Sequence, residues 1–327
     1  MIFGRPSASD LDQVLPLFAA DAACDVTAEL FMTRVTSGEY RPEWTWVGRE
    51  FAGAKPAAIA FWWATPRAAE PAALDGIYVD ESAGGPAERP GIAADLLVAA
   101  HAAFARAGLV RPPAYHIFLP PDWRDRPAAV AALSWRKEAA RRAGLTATLE
   151  RLRYEWTPQA GLPSPLTRLR LVAEPDDEVF VDLFRRVLTG TLDATSREQA
   201  GLAGAAAQAR KDVAFYRGQM QGDRAWWRVA LAPDGQLAGF GIPSRNTEFP
   251  VVGYLGVLPE YRGRGYVDEI LAEVTRILAI EAGAAAIHAD TDLGNQPMAA
   301  AFERLGYRNF GRRLVLSASL APEDTSG

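Results

Sequence analysis

The chain has 327 residues, of which 49% are hydrophobic and 23% charged, a balance typical of a globular protein of about two domains. Its formal net charge of -5 argues against a nucleic-acid-binding protein, which normally presents a basic face. The single cysteine, Cys24, excludes an intramolecular disulfide and a cysteine zinc cluster. The first residues turn polar at once, and no apolar run is long enough to cross a bilayer, so we expect a cytoplasmic chain with no membrane segment.

The first half of the sequence alternates helical and strand patterns. In chain order these patterns predict a helix over 10–18, strands over 44–47, 57–63 and 76–79, a helix over 91–107, a strand over 115–118, a helix over 128–143 and a strand over 146–156. Three prolines and a glycine between Thr157 and Pro165 then indicate an extended connector. We therefore predict two domains, residues 1–158 and residues 165–320.

The second half repeats this order of elements. The predictions are a strand over 169–172, helices over 176–188 and 196–220, strands over 226–231, 237–242 and 251–257, a helix over 265–282, a strand over 285–290, a helix over 298–305 and a strand over 313–317. The halves share this order but little residue identity. The fold class predicted is therefore α/β (α+β), with two tandem domains, each a mixed, mostly antiparallel sheet flanked by helices.

The strongest chemical signal is the segment Val257–Val267, which joins a predicted apolar strand to an amphipathic helix. A loop in this place exposes backbone N–H groups at a helix N-terminus, where the helix dipole favours an anion. Gly263 and Gly265 permit close approach of a bulky anion, and Arg262 and Arg264 add positive charge. The segment therefore predicts a pyrophosphate cradle, with a solvated basic turn or an RNA contact as the alternatives.

This segment resembles the acyl-CoA loop of the GNAT superfamily of N-acetyltransferases, whose pattern is Gln or Arg, two residues, Gly, one residue, then Gly or Ala. Arg262, Gly265 and Val267 stand at these positions, and Val267 departs from the pattern. A second stretch, Asn295–Tyr307, resembles the family's later helix, which begins at an asparagine and ends in Gly-Phe or Gly-Tyr. The resemblance implies an acetyl-CoA-dependent N-acetyltransferase. In architecture the chain is similar to tandem acetyltransferases such as mycothiol synthase, in which the second domain is catalytic.

The resemblance also implies which residues hold acetyl-CoA, the expected co-substrate. These are Leu255, Gly256, Val257, Arg262, Gly263, Arg264, Gly265, Tyr266, Val267, Asn295 and Phe302. Backbone N–H groups on the strand before the loop would polarise the thioester carbonyl, and the loop would bind the pyrophosphate. Phe302 would pack against the pantetheine. No metal is expected.

The matching loop of the first half is Glu88–Ala93. Glu88 stands where the family has Gln or Arg and would repel a pyrophosphate, while Pro90 removes an N–H group from the cradle. Leu133 replaces the asparagine of the later helix. We therefore expect a degenerate first domain with a structural or substrate-shaping role. The alternative is that it holds a second acyl-CoA without reacting.

Acetylation of an amine needs a base to remove a proton. Some relatives place a glutamate five residues before the motif asparagine, where this chain has Asp290. Strand alternation puts His288, Asp290 and Asp292 on one face, where the two carboxylates would also attract a cationic amine. Alternatively, both carboxylates satisfy nearby backbone or cap the following helix. For the acid, the family often has a tyrosine at the position of Phe302, so either Tyr254 serves as the proton donor or the thiolate leaves without help.

The sequence thus predicts transfer of acetyl from acetyl-CoA to a primary amine of a small molecule, by direct attack in a ternary complex. One alternative is a non-catalytic acyl-CoA-binding or regulatory module, which Phe302 and Val267 favour. Another is acyl transfer to a protein amine. Nucleic acid and membrane are not expected partners, and the sequence does not define an oligomeric state. The acceptor is expected to enter beside Thr189–Thr195.

Overall fold

The computed structural model describes residues 1–18, 21–165 and 167–319. Contacts divide the chain into two compact units, one made of Met1–Glu150 with the residues from Arg312 onward, and one made of Arg151–Gly311. These limits differ from those placed on the connector because residues 151–156 and 308–311 belong to strands of the second unit. The division into domains 1–158 and 165–320 stays a prediction, and residue 320 lies outside the described residues.

The predicted elements occur in the predicted order, and the structure adds a strand, Ile2–Gly4, and a helix, Ala28–Ser37, that were not predicted. The helices are α1 (Ala8–Val14), α2 (Ala28–Ser37), α3 (Arg89–Arg106), α4 (Pro127–Arg142), α5 (Asp177–Val187), α6 (Ala194–Ala203), α7 (Ala205–Gly218), α8 (Tyr266–Ile280) and α9 (Gln296–Arg304). The strands are β1 (Ile2–Gly4), β2 (Tyr40–Arg49), β3 (Ala58–Trp63), β4 (Ala73–Val79), β5 (Ala114–Leu119), β6 (Ala147–Trp156), β7 (Arg170–Ala173), β8 (Arg228–Leu231), β9 (Leu237–Arg245), β10 (Pro250–Val257), β11 (Ile287–Asp292) and β12 (Arg308–Ser317). None of the described helices is long and apolar enough to span a membrane.

In the first unit, β1 to β4 pair antiparallel in chain order, and β4 pairs with β5 in parallel. The β4–β5 ladder holds two register pairs, Ala73 with Ala114 and Leu74 with Tyr115. The other edge of β5 pairs antiparallel with the last part of β12, from Arg312 to Leu316. The first unit therefore contains a strand from the far end of the described chain.

In the second unit the strand order is β6-β11-β10-β9-β8-β7, and every pair is antiparallel except β10 with β11. This mixed, mostly antiparallel sheet with flanking helices confirms the predicted fold class. Its core includes Phe184 of α5, Phe240 of β9 and Ile270 of α8, all at most 1% exposed. This packing fixes the ends of β10 and α8, between which the predicted loop lies.

One predicted helix is divided in the structure. The segment 196–220 was expected to form a single helix, but α6 ends and α7 begins at Gly204. Gly204 has φ +81° and ψ 146°, a backbone conformation that favours glycine and cannot continue a right-handed helix.

Candidate functional site

The loop between β10 and α8 presents a row of unbonded backbone N–H groups. Gly263 and Gly265 have φ of +77° and +71°, which turn the chain into the helix. Within the part of the chain that the structure describes, the amides of residues 263–267 donate to no protein acceptor, and the first bonded amide is that of Asp268, to Gly265 O at 3.2 Å. Consecutive free N–H groups at a helix N-terminus are a binding site for an anion.

Arg168 and Glu269 hold this loop from behind. The Arg168 guanidinium donates to the carbonyls of Arg264 at 2.7 Å and Gly265 at 3.3 Å, and its Nε lies 2.7 Å from a Glu269 carboxylate oxygen. Glu269 is 1% exposed and also accepts the backbone N–H groups of Arg168 and Leu169, each at 2.9 Å. In a trans peptide the N–H points opposite to the C=O, so carbonyls drawn toward Arg168 turn the next amides outward. The pair therefore turns the loop amides outward.

The guanidinium of Arg262 donates hydrogen bonds to backbone carbonyls of the protein. Its guanidinium donates to Val257 O at 3.1 Å, Val187 O at 2.9 Å, Thr189 O at 2.7 Å and Gly190 O at 3.2 Å. It thus ties the loop to the end of α5 and the segment that follows. Direct binding of the cofactor by Arg262 stays a prediction. The observed contacts indicate that Arg262 holds the loop in position.

Arg264 is the more open loop arginine. It is exposed, donates to Glu260 O at 3.2 Å and lies with its guanidinium carbon 5.1 Å from the centre of the Tyr261 ring. A cation in this position strengthens the attraction of the loop for an anion.

The strand β10 is paired along its whole length with β9 but barely with β11. The parallel ladder to β11 holds the single register pair Val251 with His288, whereas pairing with β9 runs to Val257, with a bulge between Val252 and Tyr254. From Tyr254 onward, the described residues pair with one side of β10 only. The predicted carbonyl-polarising residues Leu255, Gly256 and Val257 lie in this stretch. An open strand edge can bind a chain that carries amide groups, as pantetheine does.

The charged residues of β11 face partners on β6. Directly opposed residues of an antiparallel pair share one face, so the register supports a common face for the three side chains predicted there. The pairs are His288 with Glu155 at 3.1 Å, Asp290 with Arg153 at 3.8 Å and Asp292 with Arg151 at 3.1 Å. Across the described residues, no group of three or more His, Cys, Asp or Glu could hold a metal ion.

Asp292 is committed to local structure. It is 3% exposed and accepts the N–H of Ala194 at 2.7 Å, at the start of α6. Burial raises the pKa of Asp292, while the Ala194 amide and Arg151 act in the opposite direction. These contacts favour the structural alternative for Asp292. Its catalytic part, like that of Asp290, stays a prediction.

Tyr254 lies on the open stretch of β10 among aromatic rings. Its ring centre is 4.7 Å from that of Phe184 and 5.6 Å from that of Phe240. Burial raises the pKa of Tyr254, and the Ser196 hydroxyl and the Asp193 carboxylate lie near its hydroxyl. The hydroxyl therefore stays protonated near neutral pH and can donate a hydrogen bond.

The later motif contributes packing. Asn295 precedes α9 and donates its backbone N–H to Asp292 O at 2.8 Å, but its side chain makes no cap hydrogen bond. Phe302 is 2% exposed, with ring centres 5.0 Å from Tyr154 and 5.2 Å from Tyr307. Phe302 is therefore a core residue, and its predicted contact with pantetheine rests on the resemblance alone.

Sequence reasoning missed Asp212, which lies on α7 near Tyr254. Its carboxylate accepts a hydrogen bond from Gln208 Nε2 at 2.7 Å, and Gln208 is 2% exposed. Burial raises the pKa of Asp212 to about 6, and the charge of Asp193 adds to the rise. The alanine-rich surroundings of Asp212 in the sequence gave no signal of this environment.

A comparison with protein families identifies the part of the chain that contains this loop. Residues 168–308 match the acetyltransferase (GNAT) domain family. This part of the chain is a GNAT acetyltransferase domain. The match begins at Arg168, one member of the pair that holds the loop, and it includes β10, α8, β11 and α9. The predicted acyl-CoA loop therefore lies inside the matched region.

Solved structures extend the similarity in fold to nearly the whole chain. A GCN5-related N-acetyltransferase from Sphaerobacter thermophilus matches 98% of this chain and 96% of its own, with a TM-score of 0.58 and 14% identity. A glucosamine N-acetyltransferase region of a fungal multi-domain GH3 beta-N-acetylglucosaminidase matches 96% of this chain and 38% of its own, with a TM-score of 0.52 and 15% identity. A tandem GNAT protein from the clavulanic acid biosynthesis pathway matches 98% and 99%, with a TM-score of 0.49 and 17% identity. No curated protein matches the chain.

Proposed function

We propose that the GNAT domain transfers an acetyl group from acetyl-CoA to the primary amine of a small molecule. The row of unbonded amides at residues 263–267 carries this proposal, because it meets the open edge of β10 at the start of α8. A pyrophosphate fits the first feature and an amide-bearing pantetheine arm fits the second. Together they support acyl-CoA rather than a simple anion as the ligand.

The residues of the open stretch have distinct parts in the proposed reaction. Backbone N–H groups of Leu255–Val257 stabilise the charge that develops on the thioester oxygen. The amine nitrogen attacks directly, the new C–N bond forms, and the C–S bond breaks with its electron pair on sulfur. Tyr254, held protonated by burial that raises its pKa, donates a hydrogen bond toward that sulfur. A thiol pKa of about 8.5 makes the thiolate a tolerable leaving group without full protonation.

Binding and turnover test the proposal separately. Acetyl-CoA titrated into the purified full chain by calorimetry is expected to bind with a Kd of roughly 1 µM to 1 mM, the usual range for enzyme substrates. The chain is then offered spermidine, tyramine, glucosamine and a lysine peptide, with thiol release and product mass as readouts. Acetylation of a small amine supports the proposal, acetylation of the peptide alone favours a protein acceptor, and binding without turnover favours a non-catalytic module. Absence of binding contradicts all three.

The first unit differs from the second at the edge of its matching strand. The fully buried Arg136 of α4 donates to Ile77 O on β4 at 3.0 Å and forms two bonds to Asp21, at 3.0 and 2.8 Å. The ladder between β4 and β5 ends at Leu74, and the Arg136 guanidinium occupies the edge of β4 beyond it, at Ile77. The edge that is open in β10 is filled by a side chain here, and we propose that the first unit holds no acyl-CoA.

A stoichiometry of one acetyl-CoA per chain is the expected calorimetric result. The physical reason is that a buried guanidinium with carboxylate and carbonyl partners is not displaced by a neutral pantetheine amide. Two equivalents per chain, with the second lost on replacement of Arg136 and retained on replacement of Gly265, would contradict this prediction.

A further inference from the structure

The GNAT domain contains four carboxylates on β11, on α7 and just before α6, and they differ in their partners. Asp290 faces Arg153 at 3.8 Å, and Arg151 bridges Asp193 at 3.2 Å and Asp292 at 3.1 Å. Asp193 also caps α6 by accepting the N–H of Ser196 at 2.6 Å. Each of these three carboxylates therefore has an arginine within ion-pair distance.

Asp212 has no such partner. Among the described residues, no arginine or lysine lies within ion-pair distance of its carboxylate, and its hydrogen bond comes from the neutral amide of Gln208. Lys211 precedes it on the same helix and acts on it only at longer range. A carboxylate without a cationic partner is free to take up a proton, or to receive one from a cationic ligand.

The helix geometry aims Asp212 at β10. Gln208, Asp212 and Tyr216 follow one another at intervals of four residues in α7, so their side chains share one face. The hydroxyl of Tyr216 donates to Gly253 O at 2.6 Å, at the bulge of β10 and next to Tyr254. Asp212 therefore lies about one helical turn, a rise of about 6 Å, from a residue that touches the strand on which the thioester is expected to lie.

We infer that Asp212 is the general base that takes the proton from the attacking amine. This inference rests on the proposed function of the GNAT domain. As the nitrogen bonds to the acetyl carbon, it becomes positively charged and its N–H becomes acidic. The proton passes to the Asp212 carboxylate, the C–S bond breaks, and the electron pair leaves on sulfur. Deprotonated Asp212 is restored by loss of the proton to water.

The surroundings of Asp212 suit this part. A base with a pKa near the working pH is the most effective, and burial raises the pKa of Asp212 to about 6. The groups that face it are Lys211 on its own helix, Asp193 before α6, and the tyrosine hydroxyls of α7 and β10. The negative charge of Asp193 also favours a cationic amine beside Asp212.

A pH profile of kcat/KM tests the inference on the amine that wild-type protein acetylates from the panel. The amine must be neutral, so log(kcat/KM) rises with pH with a slope of about one at all pH values below the amine pKa. Asp212 must also be deprotonated, which adds a second unit of slope below about pH 6. Asp212→Asn is expected to lower kcat about 100- to 10,000-fold and to remove the extra slope, with acetyl-CoA affinity unchanged by calorimetry.

Two further variants separate catalysis from folding. Gln208→Met removes a hydrogen bond that lowers the pKa of Asp212, so the break in slope is expected to move to higher pH with activity retained above it. Asp182→Asn removes an exposed carboxylate of the neighbouring α5 and is expected to keep the wild-type profile. Wild-type kcat in Asp212→Asn, or a break that Gln208→Met leaves in place, overturns the inference alone. If wild-type protein binds acetyl-CoA but acetylates no amine, the proposed function fails and this inference falls with it.

Discussion

Replacement of Gly265 by aspartate is expected to weaken acetyl-CoA binding at least about 100-fold, or about 2.7 kcal/mol. Gly265 is the N-cap of α8, and an aspartate at an N-cap accepts the N–H groups of the first helical turn with its own carboxylate. It would therefore consume the donors that a pyrophosphate needs and place a negative charge among them. Calorimetry with acetyl-CoA measures the loss.

Two control variants separate charge from backbone strain. The φ of Gly265 is +71°, a conformation that costs an L-residue about 1–2 kcal/mol, and Gly265→Ala adds this strain without a charge. Gly283 lies just beyond the other end of α8 with φ +61° and open space around it, so Gly283→Asp adds the same strain and charge away from the cradle. If Gly283→Asp weakens binding as much as Gly265→Asp does, the cradle is not the site.

Replacement of Glu269 by alanine is expected to lower the free energy of unfolding by about 2–4 kcal/mol. Its carboxylate, 1% exposed, is the acceptor for two backbone N–H groups, and each buried donor left without an acceptor costs about 1–3 kcal/mol. The ion pair with Arg168 adds little to this figure, because the Arg168 side chain is 54% exposed and its charge stays hydrated. Urea unfolding measures the change.

The same substitution is expected to reduce acetyl-CoA affinity, because Arg168 then loses the group that holds it against the loop carbonyls. Glu273 provides the control, since it lies one turn further along α8 and its ion pair with Arg228 is 3.5 Å long and partly exposed. Glu273→Ala is expected to cost at most about 1 kcal/mol and to leave binding unchanged. Equal losses of stability in the two variants would show that the backbone acceptor at Glu269 is unimportant.

Local patterns were sufficient to predict the loop and its neighbouring elements. Glycines at positions 263 and 265 mark the turn, and apolar spacing marks α8, so both signals lie within one short stretch of sequence. By contrast, α2 was not predicted, although Thr27 caps it and Gly38 ends it. Its apolar residues include the consecutive Leu30, Phe31 and Met32, so they do not mark one helical face clearly in the sequence.

The supports of the site could not be predicted, because they join residues far apart in sequence. In the sequence, Glu269 is an acidic residue in the first turn of a helix, a position where the helix dipole favours a negative charge. Nothing in the sequence therefore indicated that Glu269 is buried and paired with Arg168. The partners of Asp290 and Asp292 lie on β6. The proline-rich connector follows β6 in the sequence, so the predicted boundary placed β6 in the first domain. Asp212 acquires its environment only once α7 packs beside β10.

The pairing of β5 with the end of β12 has a consequence for the order in which the chain acquires structure during synthesis. Residues 1–150 leave the ribosome first, yet the strand that covers one edge of β5 is made only after the whole second unit. Until then β5 has an uncovered edge, and such edges pair with other chains. The second unit can finish before the first, and a nascent chain that stalls before Arg312 leaves the older unit incomplete.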